Sequence, residues 1–208
     1  FYHGITNQLL YGFDYRLDAN AGRGQVYDLS NPPFVSVYTS RPRSFRDIPA
    51  LRNYAVYLED KMSAILGKTV LDIQAGLRWN NFQSAGLFRS DLGFYAEPRL
   101  NLQYSFLTKN NNLAFDQMAI RLGIGKTFKT PPLLYLFPDK AYFDLSALNY
   151  YTGNSQYNTS IIDTRIYETG NPELKPSENL KMEAALIFKV KKISGSVTAF
   201  REKLTNGF

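Results

Sequence analysis

The chain of 208 residues has no cysteine and a single histidine, His3. Without thiols there is no disulfide framework, thiolate metal site or thiol nucleophile. One histidine near the first residue makes no histidine metal cluster and no workable Ser-His-Asp triad, so His3 reads as a turn residue rather than a metal or haem ligand. No catalytic residue, metal or cofactor is expected. Long hydrophobic runs are also missing. No stretch approaches the roughly 18 apolar residues of a membrane helix, and no charged-then-apolar leader is present. A helical membrane protein is excluded, whereas a strand-built one is not, because transmembrane strands place apolar residues only at alternate positions. The mean hydropathy of -0.29 fits that pattern.

What is abundant is aromatic surface: 15 Phe and 15 Tyr within a composition that is 44% apolar and only 20% charged, too apolar for disorder. The net charge of +6 is spread among acids rather than blocked, so nucleic acid is not an expected partner. The period is two almost throughout. Leu9, Tyr11, Phe13, Tyr15 and Leu17 alternate with Gln8, Gly12, Asp14, Arg16 and Asp18. Leu71, Ile73, Ala75, Leu77 and Trp79 alternate with Asp72, Gln74, Gly76, Arg78 and Asn80, the clearest case. Similar strands are predicted near 54–62, 97–106, 117–128, 180–190 and 193–201. Asp60 and Lys126 are the polar intruders on otherwise apolar faces.

Short and long connections alternate strictly. Gly67-Lys68, the Lys109 to Asn112 run and Lys191-Lys192 read as tight turns, and residues 19–51, 81–96 and 130–179 as long loops. In an antiparallel meander this puts every short turn at one end and every long loop at the other, as in an outer-membrane barrel. Strand runs of nine to eleven residues or more suit a tilted crossing of a bilayer. A one-residue slip on the third strand would put Asp72 and Arg78 in lipid, at roughly 2 to 4 kcal/mol for an Arg near the midplane. The polar face, including Arg78, Arg99 and Arg121, is therefore expected to line a wet lumen. Glu97 is assigned to the same wall. Seven strands cannot close a lipid-embedded wall, so the sequence reads as an all-β antiparallel meander forming part of a larger transmembrane β-barrel.

Several motifs carry a resemblance. Gly170-Asn171-Pro172-Glu173-Leu174-Lys175-Pro176 resembles the Asn-Pro-x-Leu-Lys-Pro signature of TonB-dependent outer-membrane receptors, which leads from an outer loop into a descending strand. Its prolines fix φ and lack ladder donors, as a turn before a strand requires. Tyr57-Leu58-Glu59-Asp60 is similar to that family's Tyr-x-Gln-Asp, and Gly76-Leu77-Arg78-Trp79-Asn80 to its Gly-x-Arg-Tyr-Asp. Pro98-Arg99 and Phe128-Lys129-Thr130-Pro131-Pro132-Leu133 stand where such receptors carry Pro-Arg and an aromatic-x-x-Pro-x-Leu. The resemblance implies a barrel of about 22 strands closed by an N-terminal plug, importing iron chelates, cobalamin, glycans or peptides with energy from the TonB complex. Its implied partners are the TonB complex, through a plug outside these residues, outer-membrane lipid and a small-molecule or oligomeric nutrient. A surface lipoprotein is a further partner that it admits.

The other motifs carry less. Gly125-Lys126-Thr127 lacks the upstream glycine and following helix of a phosphate loop. Glu59 and Asp60 cannot act as paired carboxylates, because neighbours on a strand face opposite ways. The best ligand candidates are the aromatics Tyr142, Phe143, Tyr150, Tyr151 and Tyr157, interleaved with Asp144, Asn149, Asn154 and Asn158. Packing of the loop on itself is their alternative role. The rival to a receptor is a soluble all-β carbohydrate-binding or adhesion module whose apolar faces pack into a sandwich.

Overall fold

A computed structural model describes residues 4–27, 30, 41–84, 94–107 and 116–207, the side chain of Leu107 excepted. His3 and the expected turn at Lys109 to Asn112 lie outside them. The strands in chain order are β1 (Ile5–Asp18), β2 (Gly24–Gln25), β3 (Arg43–Ser44), β4 (Leu51–Leu66), β5 (Thr69–Gln83), β6 (Phe94–Leu107), β7 (Gln117–Lys129), β8 (Ala141–Tyr150), β9 (Thr159–Tyr167), β10 (Ser177–Val190) and β11 (Ile193–Thr205).

Seven of these make one sheet in the order β1-β4-β5-β6-β7-β10-β11, so each long strand lies beside the next long strand in the chain. Every ladder from β4 to β11 is antiparallel. The sheet is the expected meander, with strands of 13 to 16 residues against a usual five or six. At Gly67 and Lys191 the first turn residue takes a positive φ, 66° and 54°, which closes the β4–β5 and β10–β11 hairpins.

Register separates two faces. One carries Val56, Trp79 and Ala96 in one row, and Met62, Ile73, Leu102 and Leu122 in another. The opposite face carries Tyr57, Arg78 and Glu97, then Gly76, Arg99, Gly125 and Lys181. A sandwich would bury the first face beneath a second sheet. Instead Val56 is 53% exposed, Leu58 46%, Leu122 48% and Ile124 44%. An apolar surface of this extent is unstable in water and suits hydrocarbon. Aromatics cluster at both ends of it. Tyr15 stacks on Tyr54 with ring centroids 5.0 Å apart near the long-loop end, and Tyr104 meets Phe106 edge-on at 4.8 Å near the short-turn end. These are the places of the two interfacial girdles.

The chain divides into two compact units. The sheet belongs to the first, made of Phe1–Leu17, Arg52–Thr130 and Lys175–Phe208; the second comprises Asp18–Leu51 and Pro131–Leu174. The second unit has its own secondary structure: the β2–β3 ribbon, a single helical turn at Leu133–Leu136 and the β8–β9 hairpin. Residues 130–179 are therefore not one irregular loop, since only parts of the segment are unpaired. Residues 81–96 also shorten, because β5 runs to Gln83 and β6 begins at Phe94. The family-like proline segment forms a turn, with Glu173 N–H donating to Asn171 Oδ1 at 2.9 Å and Leu174 N–H to Asn171 O at 3.3 Å. Pro176 behind it is fully buried, and β10 starts at the next residue.

Candidate functional site

Two concave surfaces are candidates, one in each unit. The first is a groove of about 470 Å³ on the polar face of the sheet, with Lys61, Asp72, Gln74, Asn101, Arg121 and Glu183 in its lining. Gly123 shapes its floor, and Gly76 lies on the same face of the sheet. A Cβ at Gly123 would stand 2.9 Å from the Oδ1 of Asn101, its register partner, and one at Gly76 would stand 3.1 Å from Arg99 Cγ. Arg99 thus lies in a row between Gly76 and Gly125 and is exposed.

The three arginines expected on the lumen wall all lie on the polar face and have different surroundings. Arg78 donates from Nη2 to Asp14 Oδ2 at 2.6 Å and from Nε to Asn80 Oδ1 at 3.0 Å. Arg121 gives both Nε and Nη2 to Gln103 Oε1, at 3.1 and 2.9 Å. The Arg99 side chain makes no hydrogen bond or ion pair among the described residues, and neither do the side chains of Lys61, Asp72 and Glu183 in the groove. Arg78 is therefore held by Asp14 and Asn80, while no described side chain engages Arg99, Lys61, Asp72 or Glu183. Glu97 departs from its expected place in wet lumen. It is 7% exposed, and its Oε1 accepts the Phe128 N–H at 2.8 Å, replacing a ladder bond where the β6–β7 register has ended. Residues 125–127 lie within β7, which leaves no phosphate cradle.

The second surface is a cavity of about 530 Å³ in the loop unit, lined among others by Arg41, Arg43, Asp139, Lys140, Tyr142 and Glu168. Three ion pairs frame it. Arg41 Nη2 reaches both oxygens of Asp144, at 2.6 and 2.8 Å, while its guanidinium lies 4.9 Å from the centre of the Tyr142 ring. Arg43 pairs with Asp139 and donates to Phe137 O at 2.8 Å. Lys140 Nζ is 2.5 Å from Glu168 Oε1. The hydrogen bonds from Arg41 and Thr164 hold the Asp144 carboxyl below the ordinary carboxylate range. Asp144 in turn raises Arg41, and Glu168 raises Lys140. Arg41 and Lys140 thus stay charged and fixed, offering donors beside an aromatic face to a ligand carrying oxygen acceptors.

The structure separates the five aromatics singled out in the sequence. Tyr142 and Phe143 contribute to the cavity, but the Phe143 ring meets Tyr167 edge-on at 5.4 Å, so the Tyr142 ring is the one that Arg41 covers. Tyr150, Tyr151 and Tyr157 lie around the tip of the β8–β9 hairpin, exposed at 58%, 74% and 64%. Arg41, Arg43, Lys140 and Glu168 were not visible as site residues. Arg41 and Asp144 are 103 positions apart, and no short spacing signals their contact.

The sequence of all 208 residues, 1–208, matches the family described as TonB dependent receptor-like, beta-barrel. The chain belongs to this family. No curated protein and no solved structure matches it. A TonB-dependent receptor is an outer-membrane protein of Gram-negative bacteria and a transporter rather than an enzyme, which accounts for an apolar outer face on an antiparallel meander. In a barrel of this family the apolar face of the sheet meets lipid.

Proposed function

We propose that this receptor captures a scarce nutrient outside the cell and passes it through a wider barrel, of which these seven strands are one part, with energy delivered by the TonB complex to a plug. The observation that supports capture is the cavity of about 530 Å³ framed by the Arg41–Asp144, Arg43–Asp139 and Lys140–Glu168 pairs beside Tyr142. Its size is that of a small-molecule site. Its chemistry favours a cargo with several oxygen acceptors, which iron chelates, glycans and peptides share. The unengaged Arg99, Lys61, Asp72 and Glu183 on the lumen wall would then meet the plug or the cargo in transit.

The test is growth of a strain carrying the full-length receptor as its only copy, supplied in turn with an iron chelate, cobalamin, a glycan and a peptide as the limiting nutrient. Growth on one class that is lost with Arg41→Ala plus Tyr142→Ala, and lost again when TonB is deleted, supports the reading. Growth on that class unaffected by TonB deletion would remove the energised import step. Growth unaffected by the double substitution would remove the cavity from the capture step.

A further inference from the structure

The strand cations on the hydrocarbon-facing side of the sheet are not scattered. Arg52, Lys126, Arg201 and Lys203 all fall in the long-loop halves of their strands. The short-turn halves of that face carry no Lys or Arg among the described residues; there the rows read Met62, Ile73, Leu102 and Leu122, then Met118 beside Phe188.

Three of these cations converge. Lys126, Leu180 and Lys203 share one cross-strand row, and Ile124, Met182 and Arg201 share the next. Strand spacing puts Lys126 and Lys203 about 10 Å apart, and Arg201 lies about 7 Å along the strand from Lys203. Long basic side chains on such a frame can reach one bound group. A single carboxylate accompanies them. Glu178 is 2.9 Å from Lys126, whose Nζ also lies 4.8 Å from the centre of the Phe128 ring. The side chains of Arg201 and Lys203 are exposed and make no hydrogen bond or ion pair among the described residues.

Height matters as much as charge. With a strand tilt near 45°, Arg201, eight residues beyond Ile193, stands about 20 Å above the β10–β11 turn, close to the outer boundary of a band about 25 Å tall. Basic residues there lie at the headgroup level of the outer leaflet, with apolar Leu180 and Met182 beside them for acyl chains. We propose that Arg201, Lys203 and Lys126 bind the phosphate-bearing headgroup of an anionic outer-leaflet lipid, whose acyl chains lie along Leu180 and Met182. Phosphate matches this cluster because guanidinium and ammonium donors bind its oxygens by charge-assisted hydrogen bonds. Among the described residues the opposite end of the same face has no counterpart, which assigns the site to one leaflet.

The experiment uses full-length receptor purified in neutral detergent and titrated with diphosphorylated lipid A, with the same lipid stripped of phosphate, and with inorganic phosphate, each read by native mass spectrometry. The expected result is retention of the diphosphorylated lipid over the stripped one, weakened about tenfold or more by Arg201→Gln plus Lys203→Gln. Arg52→Gln, a cation of the same face outside the cluster, should leave retention unchanged. Arg201→Lys plus Lys203→Arg keeps the charge and should retain binding, which separates loss of the site from misfolding if the glutamine variant is unstable. Equal retention of the two lipids by wild-type receptor, or equal retention by wild type and a folded glutamine variant, would overturn the proposal. Displacement of the lipid by millimolar inorganic phosphate would overturn it as well, by making the site a simple anion site.

Discussion

The Phe188 ring lies over Gly195, its register partner on the neighbouring strand, so closely that a methyl group on the glycine would stand 2.9 Å from the ring Cζ. The ring covers backbone that a larger residue would cover with its own side chain, and so the pair ties β10 to β11 just above their turn. Gly195→Val is expected to destabilise the folded receptor by about 1–3 kcal/mol through overpacking, and Phe188→Leu in the same chain should restore part of the loss. Urea unfolding of receptor in lipid vesicles measures both values.

The outer and inner faces of β5 should respond oppositely to the same change. Ile73→Arg places a cation on the hydrocarbon face and is expected to cost about 2–4 kcal/mol in lipid vesicles. Gln74→Arg, one residue on, faces the lumen beside Glu59 and should change stability by less than about 0.5 kcal/mol. Equal costs at the two positions would contradict the assignment of faces.

Asn80 is the buried member of the polar cluster around Arg78, with 3% exposure, and its Oδ1 accepts from both Arg78 and Asn53. Asn80→Ala strands those donors and is expected to cost about 1–3 kcal/mol. Asp14→Ala removes only the half-exposed end of the ion pair and should cost less than about 1 kcal/mol. The same urea titration compares them.

The loop unit should be sensitive to acid. Asp144 titrates below its ordinary value of 3.8 when folded, so its contribution to stability is fully present above that value and is lost as pH falls through the depressed folded one. Tyr142 is the optical reporter beside the pair. Its ultraviolet signal should change in that acid range in wild type, and the step should vanish in Asp144→Asn. Lys140 has the opposite sign: its raised value makes its contribution complete below 10.5 and lost only at more alkaline pH.

The sheet was legible because hydrocarbon on one side and water on the other force period two, and a slip by one residue would carry Asp72 and Arg78 into lipid. The same logic fails on the β8–β9 hairpin. All nine residues of β9 are exposed, so no buried stripe imposes alternation and the pairing leaves no mark in the sequence. Glu97 was misplaced for a different reason. Its parity is that of a lumen residue, but the end of the β6–β7 register leaves the Phe128 N–H without a strand partner, and a carboxylate in reach is drawn inward. In the loop cavity, Tyr142 was visible through composition alone, whereas the cations around it depend on contacts between segments about a hundred positions apart.

Pro98 ends the β6–β7 ladder at Arg99↔Gly125, yet β6 continues beside β5 as far as Phe94↔Asn81. Above the proline, then, one side of β6 is zipped by main chain and the other is pinned by the carboxylate of Glu97. The wall has a built-in seam, and solvent deuterium should first reach the amide of Phe128 there, well before the amides lower in the same strand.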